Sequence, residues 1–511
     1  MFEIYIEIIH AAVWIITIIF LVSGFDELLF DAAYLAWKIY YRFVLVRGKP
    51  RLHLSTLLSK PEQTVAIMVP AWQEESVIAA MLQNAIETIH YQDYVIFVGV
   101  YPNDSGTRHA LAPALTKYAD HVRMALVPHP GPTTKSDCLN TILREIRKWE
   151  QETGKETQIY VLHDAEDHVP RYGLKVFNYL MPRKAIVQLP VFPLHVPWYS
   201  FTEGHYLDEF AQVHVKDLRV REWLTGGVPS AGVGTGFSRD AINLAWQEEI
   251  QGAFREDLLT EDYEISMQLL RRGAHSAFFD GIVRGGDEPP PALRLRRMPG
   301  VPAVRGAFPD TFWASVRQKT RWTLGITLQG WEDLGWHGSL WQKYLFFRDR
   351  KPIFTNIANV GAYFIAIAWL IPWLIDQFVF GGTLLPPLFE RGSILNQLTA
   401  INVAMLVIFM VVRALCTYQA FGLAHALMSF PRLVWANFIN FAATVRALRQ
   451  FFGARRKGTK RIPWEKTAHS SDPFKTSQTR DEHDTLHPNT HGFPAHPGSA
   501  GLSAANRHHS D

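Results

Sequence analysis

Three long apolar segments restrict what this chain can form more than any other feature of its sequence. They read IEIIHAAVWIITIIFLVSGF near the N-terminus, then FTNIANVGAYFIAIAWLIPWLI, and then LTAINVAMLVIFMVVRALC. About 20 apolar residues suffice for a helix to cross the hydrocarbon core of a bilayer. The first segment has Glu3 before it and Glu7 inside it, and it lacks the basic leader and the small-residue cleavage site of a secretory signal. The sequence therefore predicts a retained anchor over residues 1–25 and two further crossings within residues 351–418.

Basic residues beside the anchor predict its orientation, because the cytoplasmic flanks of crossings carry an excess of Lys and Arg. Residues 26–59 form a basic juxtamembrane linker that contains Lys38, Arg42, Arg47, Lys49 and Arg51. We therefore expect the N-terminus outside and the next domain in the cytoplasm. Residues 419–467 mix aromatic residues with arginines and end near GARRKGTKR, which favours a helix in the membrane interface beside anionic lipid. A fourth crossing at about residues 419–443 ranks lower, since it would place this basic cluster outside.

Composition excludes several classes of function. Of the 511 residues, 48% are hydrophobic and 19% are charged, and the formal net charge of +3 is too small to indicate a nucleic-acid partner. The two cysteines, Cys138 and Cys416, lie far apart, which argues against a disulfide framework and a structural zinc site. Residues 468–511 are rich in His, Pro and Ser and lack apolar periodicity, so we expect a disordered, solvated tail rather than a metal site.

Residues 60–350 alternate between strand-like and helix-like pieces. Short apolar runs such as TVAIMVPAW, YVIFVGVYPND, HVRMALVPHP and TQIYVLHDAED are separated by segments with helical spacing, for example EESVIAAMLQNAIETI. Strands that alternate with helices predict an α/β domain with a mostly parallel sheet covered on both faces. Because ligands of such sheets bind beyond the carboxyl ends of the strands, residues 70–74, 103–104 and 164–167 are expected along one edge.

The stretch VLHDAEDHVP places Asp164, Glu166 and Asp167 directly after an apolar strand. Carboxylates in such a cluster repel one another unless a cation neutralises them. Mg²⁺ and Mn²⁺ prefer oxygen ligands and usually take one or two carboxylates together with phosphate oxygens. The alternative interpretation is structural, with the acidic residues capping a turn or the start of a helix.

Two later segments carry further polar residues on predicted helices. In LLTEDYEISMQLLRRG, Thr260, Glu261 and Asp262 begin a helix, which suits either a threonine cap with favourable acidic charges or a general base at Asp262. In SVRQKTRWTLGITLQGW, Gln318 and Arg321 share a helix face. Arginine can hold a diphosphate through paired hydrogen bonds, and a neighbouring tryptophan can stack on a sugar ring. An amphipathic interfacial helix with an incidental arginine is the structural alternative.

The ordered motifs VPAWQEE, PND, KSDCLN, DAED, SAGVGTGF, TED, QKTRW and WEKTAH resemble those of the family 2 glycosyltransferases of membranes, the cellulose- and hyaluronan-synthase-like enzymes. The resemblance covers most of residues 60–470. It implies a GT-A-like cytoplasmic domain with a mostly parallel central sheet, joined to transmembrane and interfacial α-helices. It also implies a bacterial inner-membrane protein with several crossings.

The resemblance assigns a role to each motif residue. Asp164 and Glu166 occupy the metal-binding positions for Mg²⁺ or Mn²⁺, with Asp167 as the alternative to Glu166, and Asp262 matches the catalytic base. The nucleotide-sugar side comprises Ala71, Glu74, Asp104 at the uracil or ribose, Lys135 and Arg321. The acceptor side comprises Glu261, Gln318, Trp322 and a loop at Gly236 and Phe237.

These roles imply inverting transfer of a sugar from a nucleotide diphosphate sugar of the UDP class to a growing polysaccharide or envelope glycan. No G-x-S-x-G elbow or Walker A loop suggests another chemistry. One alternative is a single transfer to a lipid acceptor. Another is a phage-receptor or secretion-complex component in which enzymatic activity is secondary or vestigial. Three crossings are few for a polysaccharide channel built by one chain. Either the chain forms oligomers, or the product is short, or an export partner in the outer membrane or periplasm receives the product.

Overall fold

The strands of the protein lie between its first and second apolar segments. The computed structural model describes residues 2–47, 52–382, 385–459 and Phe474. The described residues contain these strands: β1 Val65–Pro70, β2 Tyr94–Val100, β3 Val122–Leu126, β4 Ile159–Leu162, β5 Ile186–Gln188, β6 Val191–Pro193, β7 Thr235–Ser238, β8 Ser276–Phe278 and β9 Val304–Gly306. Lys49, Arg51, the WEKTAH motif and all of the predicted tail except Phe474 lie outside the described residues.

One seven-stranded sheet forms the centre of the domain, in the order β3-β2-β1-β4-β7-β5-β8, and β6 pairs with β9 beside it. Strands β3, β2, β1 and β4 run parallel to one another, and β7 runs antiparallel between β4 and β5. The residues of β2 and β4 are buried throughout, as expected for a sheet covered on both faces. The predicted α/β fold with a mostly parallel sheet and a GT-A-like arrangement is confirmed.

Helices cover the sheet and continue into the apolar segments. Those that cover the sheet or join its strands are α2 Leu54–Leu58, α3 Ile78–Thr88, α4 Ser105–Lys117, α5 Lys135–Thr153, α6 Gly173–Leu180, α7 Thr202–Gln212, α8 Leu218–Thr225, α9 Arg239–Ala245 and α10 Glu261–Arg271. The others are α1 Phe2–Tyr40, α11 Phe312–Trp322, α12 Gly330–Leu334, α13 Leu340–Arg350, α14 Pro352–Val379, α15 Ile394–Phe421 and α16 Leu423–Arg456. Short π-helical segments continue three of them, over Tyr41–Leu45 after α1, Val213–Asp217 after α7 and Thr323–Gln329 after α11.

Three helical stretches of the described chain are long and apolar enough to cross a membrane: Glu3–Leu45, Leu340–Val379 and Ile394–Phe421. They contain the three segments recognised in the sequence and indicate a membrane protein. Helix α1 runs past residue 25 without a break, so the predicted boundary between anchor and linker falls inside one helix. Helices α1, α14, α15 and α16 pack together, α7 packs against α15, α16 and β6, and α11 packs against α16.

Candidate active site

The carboxyl ends of β1, β2 and β4 meet at one edge of the sheet, where the sequence predicted the site. After β1, Gln73 adopts a φ of 56°, which is uncommon for a residue other than glycine. Asp104, after β2, stabilises this conformation because its Oδ2 accepts a hydrogen bond of 2.6 Å from the Gln73 amide. Its Oδ1 accepts from the Thr107 amide at 3.1 Å and thereby caps α4. Asp104 therefore holds the loop between β1 and α3 in place, and its predicted contact with a nucleotide stays a prediction.

Two further residues predicted on the nucleotide side lie in the same loop. The backbone amide of Ala71 donates to the carbonyl of Gly99 at 2.9 Å, so the loop begins as an extension of β1. The amide of Glu74 donates to Thr107 Oγ1 at 2.8 Å. Ala71 and Glu74 are both buried, so the backbone of this loop is fixed before any ligand binds.

The DAED turn after β4 divides its carboxylates between two roles. Asp167 is buried, and its Oδ2 accepts hydrogen bonds from His163 Nδ1 at 2.9 Å and from the Asp164 amide at 3.0 Å. Burial raises the pKa of Asp167 to about 6, although the bonded imidazole of His163 opposes this shift. The side chain of Asp164 remains 39% exposed, and Glu166 is half-buried. Asp167 thus stabilises the turn, while Asp164 and Glu166 are the more accessible oxygen donors.

Lys135 connects the DAED turn to the TED motif. It begins α5, and its Nζ lies 2.7 Å from Asp164 Oδ1 and 3.9 Å from Glu261 Oε1. Burial lowers the pKa of Lys135, but the carboxylates of Asp164, Glu261 and Asp262 together raise it above its ordinary value. Lys135 is therefore a partly buried ammonium group, with 17% of its side chain exposed, that neutralises acidic side chains from two separate parts of the chain.

The TED motif begins α10 at the same place. Thr260 precedes the helix, but its side chain makes no capping hydrogen bond, so the threonine cap considered from the sequence is wrong. Asp262 Oδ1 accepts from the Tyr263 amide at 2.8 Å. Burial raises the pKa of Asp262, and the charges of Lys135 and Arg321 lower it in part. Burial likewise raises the pKa of Glu261, to about 7, against the opposing charge of Lys135.

Gly232 brings the SAGVGTGF loop against Asp262. Its φ is +76°, and a Cβ atom built there would lie 2.6 Å from Asp262 Oδ2. Only glycine tolerates both conditions. The loop before β7 therefore fixes one side of the predicted base, a contact that the sequence did not reveal.

Gly236 and Phe237 do not form an acceptor loop, which corrects the prediction made from their motif. Both lie within the buried strand β7, between β4 and β5. A Cβ atom on Gly236 would lie 2.7 Å from a ring carbon of Phe177, and Phe237 is 0% exposed. The part of the motif that faces the site is the loop at Gly232. Glu261 also faces inward, since its side chain is 5% exposed and directed at Lys135.

Helix α11 carries the QKTRW motif to the same site. Arg321 acts electrostatically on both Asp262 and Glu261, and within the described residues its guanidinium makes no hydrogen bond and no salt bridge. The Oε1 atom of Gln318 is buried without a hydrogen-bond partner in the described part of the chain. Trp322 packs edge-on against Tyr206, with ring centroids 6.1 Å apart. The structure thus brings Asp164, Lys135, Glu261, Asp262 and Arg321 together from four separate motifs.

A sequence model of glycosyl transferase family group 2 matches residues 159–384, which include the DAED turn, the TED motif and QKTRW. Over these residues the chain is similar to the family 2 glycosyltransferases. The resemblance inferred from the motifs is therefore confirmed. Two relatives, bacteriophage adsorption protein B of Escherichia coli strain K12 and bacteriophage N4 adsorption protein B of Escherichia coli O157:H7, are each 36% identical over 468 residues, or 91% of this chain. The chain spans 62% of the length of each relative.

Solved structures are similar to this chain at low identity. A mannosyltransferase from Pyrobaculum calidifontis, in complex with GDP-mannose and Mn²⁺, has a TM-score of 0.46 at 16% identity and covers 86% of this chain and 99% of its own. Residues 1–349 of TarS from S. aureus give a TM-score of 0.29 at 10% identity and cover 78% of this chain and 92% of their own.

Proposed function

We propose that this protein is an inverting, metal-dependent glycosyltransferase of a bacterial inner membrane. It moves a sugar from a UDP-linked nucleotide diphosphate sugar to a growing polysaccharide or envelope glycan. The observation that carries the proposal is the cluster of Asp164, Lys135, Asp262 and Arg321 at the carboxyl edge of the sheet, within a family 2 domain. Of the two carboxylates, Asp164 suits a metal ion bound to the diphosphate and Asp262 suits a general base. The two cations, Lys135 and Arg321, offset the negative charge that collects there.

The DAED turn fits a divalent cation. No group of three or more His, Cys, Asp or Glu side chains suited to a metal occurs among the described residues. Mg²⁺ and Mn²⁺ in nucleotide sites nevertheless need only one or two carboxylates, because phosphates and water supply the remaining ligands. Asp164 and Glu166 would hold the ion, which when bound would offset negative charge on the diphosphate. Asp167 is the poorer ligand, since its Oδ2 is already bonded to His163 and to the Asp164 amide.

Asp262 would act as the base in the transfer. Its raised pKa favours uptake of a proton from an acceptor hydroxyl as that oxygen attacks the anomeric carbon. The bond from the anomeric carbon to the diphosphate oxygen breaks on the opposite side, so the configuration inverts and no covalent enzyme intermediate is required. Arg321, which makes no salt bridge in the described chain, would bind the leaving diphosphate. Gln318 and Trp322 would orient the acceptor.

A donor screen tests this function. Purified full-length protein in membranes or detergent is incubated with a panel of UDP- and GDP-sugars and Mn²⁺ or Mg²⁺, and released nucleotide is measured. We expect one donor class to be consumed by the wild type and not by Asp262→Asn. Glu264→Gln is the matched control, because Glu264 is a buried acid on the same helix that faces Arg255 instead of Lys135. Equal turnover by Asp262→Asn and the wild type would refute the assignment of the base.

A further inference from the structure

A large cavity adjoins the proposed active site on the side of the apolar helices. Its volume is about 870 Å³, and Trp322 of the QKTRW motif lies in its wall. Helices α1, α14, α15 and α16 form its long sides, and α7 and α11 with their π-helical continuations form the end nearest the sheet domain. Val13, Phe20, Leu406 and Phe409 give much of the wall an apolar surface.

The acidic and basic groups near the sheet end of the cavity are mostly paired with one another. Lys319 Nζ lies 2.5 Å from Glu209 Oε2 and 2.8 Å from Asn440 Oδ1. Burial raises the pKa of Glu209, but the nearby cations, Lys319 foremost, lower it to about 2, so Glu209 is ionised. On the opposite side, Glu27 pairs with both Arg348 and Lys351. These groups neutralise one another and leave little charge for a ligand.

Arg413 differs from these paired cations. It lines the cavity from α15 and is 6% exposed, yet its one side-chain hydrogen bond within the described residues is to the neutral Oε1 of Gln212 at 3.5 Å. Its Nε and Nη2 atoms are buried without a hydrogen-bond partner among the described residues. Leaving buried donors of a charged group unpaired is costly, so an arginine of this kind suits a ligand that accepts hydrogen bonds.

Two acidic residues on which Arg413 acts electrostatically, Asp208 and Glu209, form their direct ion pairs with other cations. Asp208 Oδ1 accepts from Arg432 at 2.8 Å and from Thr417 at 3.1 Å, and Glu209 is bound by Lys319. Asp208 Oδ2 is buried without a hydrogen-bond partner among the described residues and makes no hydrogen bond to Arg413. No carboxylate of the described chain forms a salt bridge with Arg413. Its guanidinium therefore lies at the edge of a largely apolar cavity, where it acts electrostatically on Asp208 and Glu209 but forms no direct salt bridge with any described carboxylate.

We propose that Arg413 binds the phosphate of a long-chain lipid whose apolar chain lies in this cavity. An arginine fork suits phosphate oxygens, and an apolar cavity between helices that could cross a membrane suits a hydrocarbon chain. Leu406, Phe409 and Arg413 follow one another at helical spacing, so one face of α15 offers both the apolar wall and the cation. The inference rests on the proposed function, for which this lipid would carry the acceptor.

The phosphate at Arg413 would anchor the acceptor and would not itself be the attacking group. A base such as Asp262 is needed for a hydroxyl, which must lose a proton, but not for a phosphate oxygen that is already ionised. Trp322 lines the same cavity and belongs to the helix that carries Arg321. A sugar attached to the anchored lipid could therefore approach the donor past Trp322 while its phosphate stays on Arg413.

Photocrosslinking tests the site in the full-length protein without altering Arg413. Benzoylphenylalanine replaces Phe409 in the cavity wall, and in a matched control it replaces Leu415, which is 53% exposed and does not line the cavity. The probes are a polyprenyl phosphate against the polyprenol of equal length, and phosphatidic acid against diacylglycerol. We expect a phosphate lipid, but not its alcohol, to be captured at position 409, and no such discrimination at position 415. Whichever phosphate is captured identifies the isoprenoid or the glycerolipid source.

Arg413 variants measure the contribution of the cation. Affinity for the captured phosphate lipid should fall about tenfold or more in Arg413→Gln, with affinity for the alcohol unchanged, and should recover partly in Arg413→Lys. Equal capture of phosphate and alcohol by the wild-type cavity would overturn the inference, even if Arg413→Gln fails to fold. The two proposals can fail separately. If donor consumption depends on Asp262 but lipid capture does not distinguish phosphate from alcohol, the proposed function stands and only the lipid site is rejected.

Discussion

Replacement of Gly232 by alanine should damage the proposed base much more than it damages the fold. The φ of +76° at this position costs an alanine about 1–2 kcal/mol of folding free energy. The added Cβ would also lie 2.6 Å from Asp262 Oδ2, whereas ordinary contacts begin at 3.4 Å, so the carboxylate must retreat by about 0.8 Å. A displacement of about 1 Å at a reacting group can lower the rate about a hundredfold. We therefore expect kcat to fall by about two orders of magnitude.

Gly273 provides a matched control for the backbone effect. It follows α10 with a φ of +85°, and a Cβ atom there would meet no atom within 4 Å. Gly273→Ala should therefore lose a similar amount of stability, about 1–2 kcal/mol, without any loss of kcat. Thermal unfolding measures the first quantity, and nucleotide release from the donor found in the screen measures the second. If the two variants retain the same kcat, the contact between Gly232 and Asp262 does not position the base.

Further predictions separate residues of the site from residues of the fold. Chelation of divalent ions should stop donor turnover until Mn²⁺ or Mg²⁺ is restored, and Asp164→Asn should raise the metal concentration needed for half-maximal nucleotide release. Asp167→Leu should instead lower the unfolding free energy by about 1–3 kcal/mol, because two buried donors lose their acceptor, and should leave the metal requirement unchanged. Asp104→Ala should cost about 1 kcal/mol in thermal unfolding through the lost helix cap. Asp208→Ala should cost about 3–5 kcal/mol because it leaves Arg432 buried and unpaired, whereas a double variant with Arg432→Met should unfold close to the wild type.

The sequence predicted the sheet well because its central strands are buried on both faces. The runs that became β1, β2 and β4 are almost wholly apolar, and each ends in polar residues that the parallel order places at one edge. Strand β7 gave no such signal. It has four residues, among them a threonine, a glycine and a serine, and it enters the sheet antiparallel, so its Gly236 and Phe237 were assigned to a loop.

The contacts of the site were harder to predict because they join distant parts of the chain. Lys135 and Asp164 are 29 residues apart, and their ion pair depends on how α5 packs beside β4. The sequence named both residues but assigned them to different ligands. The approach of Gly232 to Asp262 likewise depends on a loop and a helix start that meet only in the folded domain.

Residues of the QKTRW motif can contact both the donor and the acceptor, because helix α11 has one face toward the edge of the sheet and another toward the cavity. Arg321 acts on Asp262 and Glu261 at the edge of the sheet, whereas Lys319 and Trp322 line the cavity between the apolar helices. Positions 319 and 322 lie three apart and share one face, and position 321 points elsewhere on the same turn. A single helical turn therefore separates the place proposed for the diphosphate from the cavity proposed for the acceptor. If sugar transfer occurs across this turn, changes at Lys319 should alter the response to the acceptor, and changes at Arg321 should alter the response to the donor.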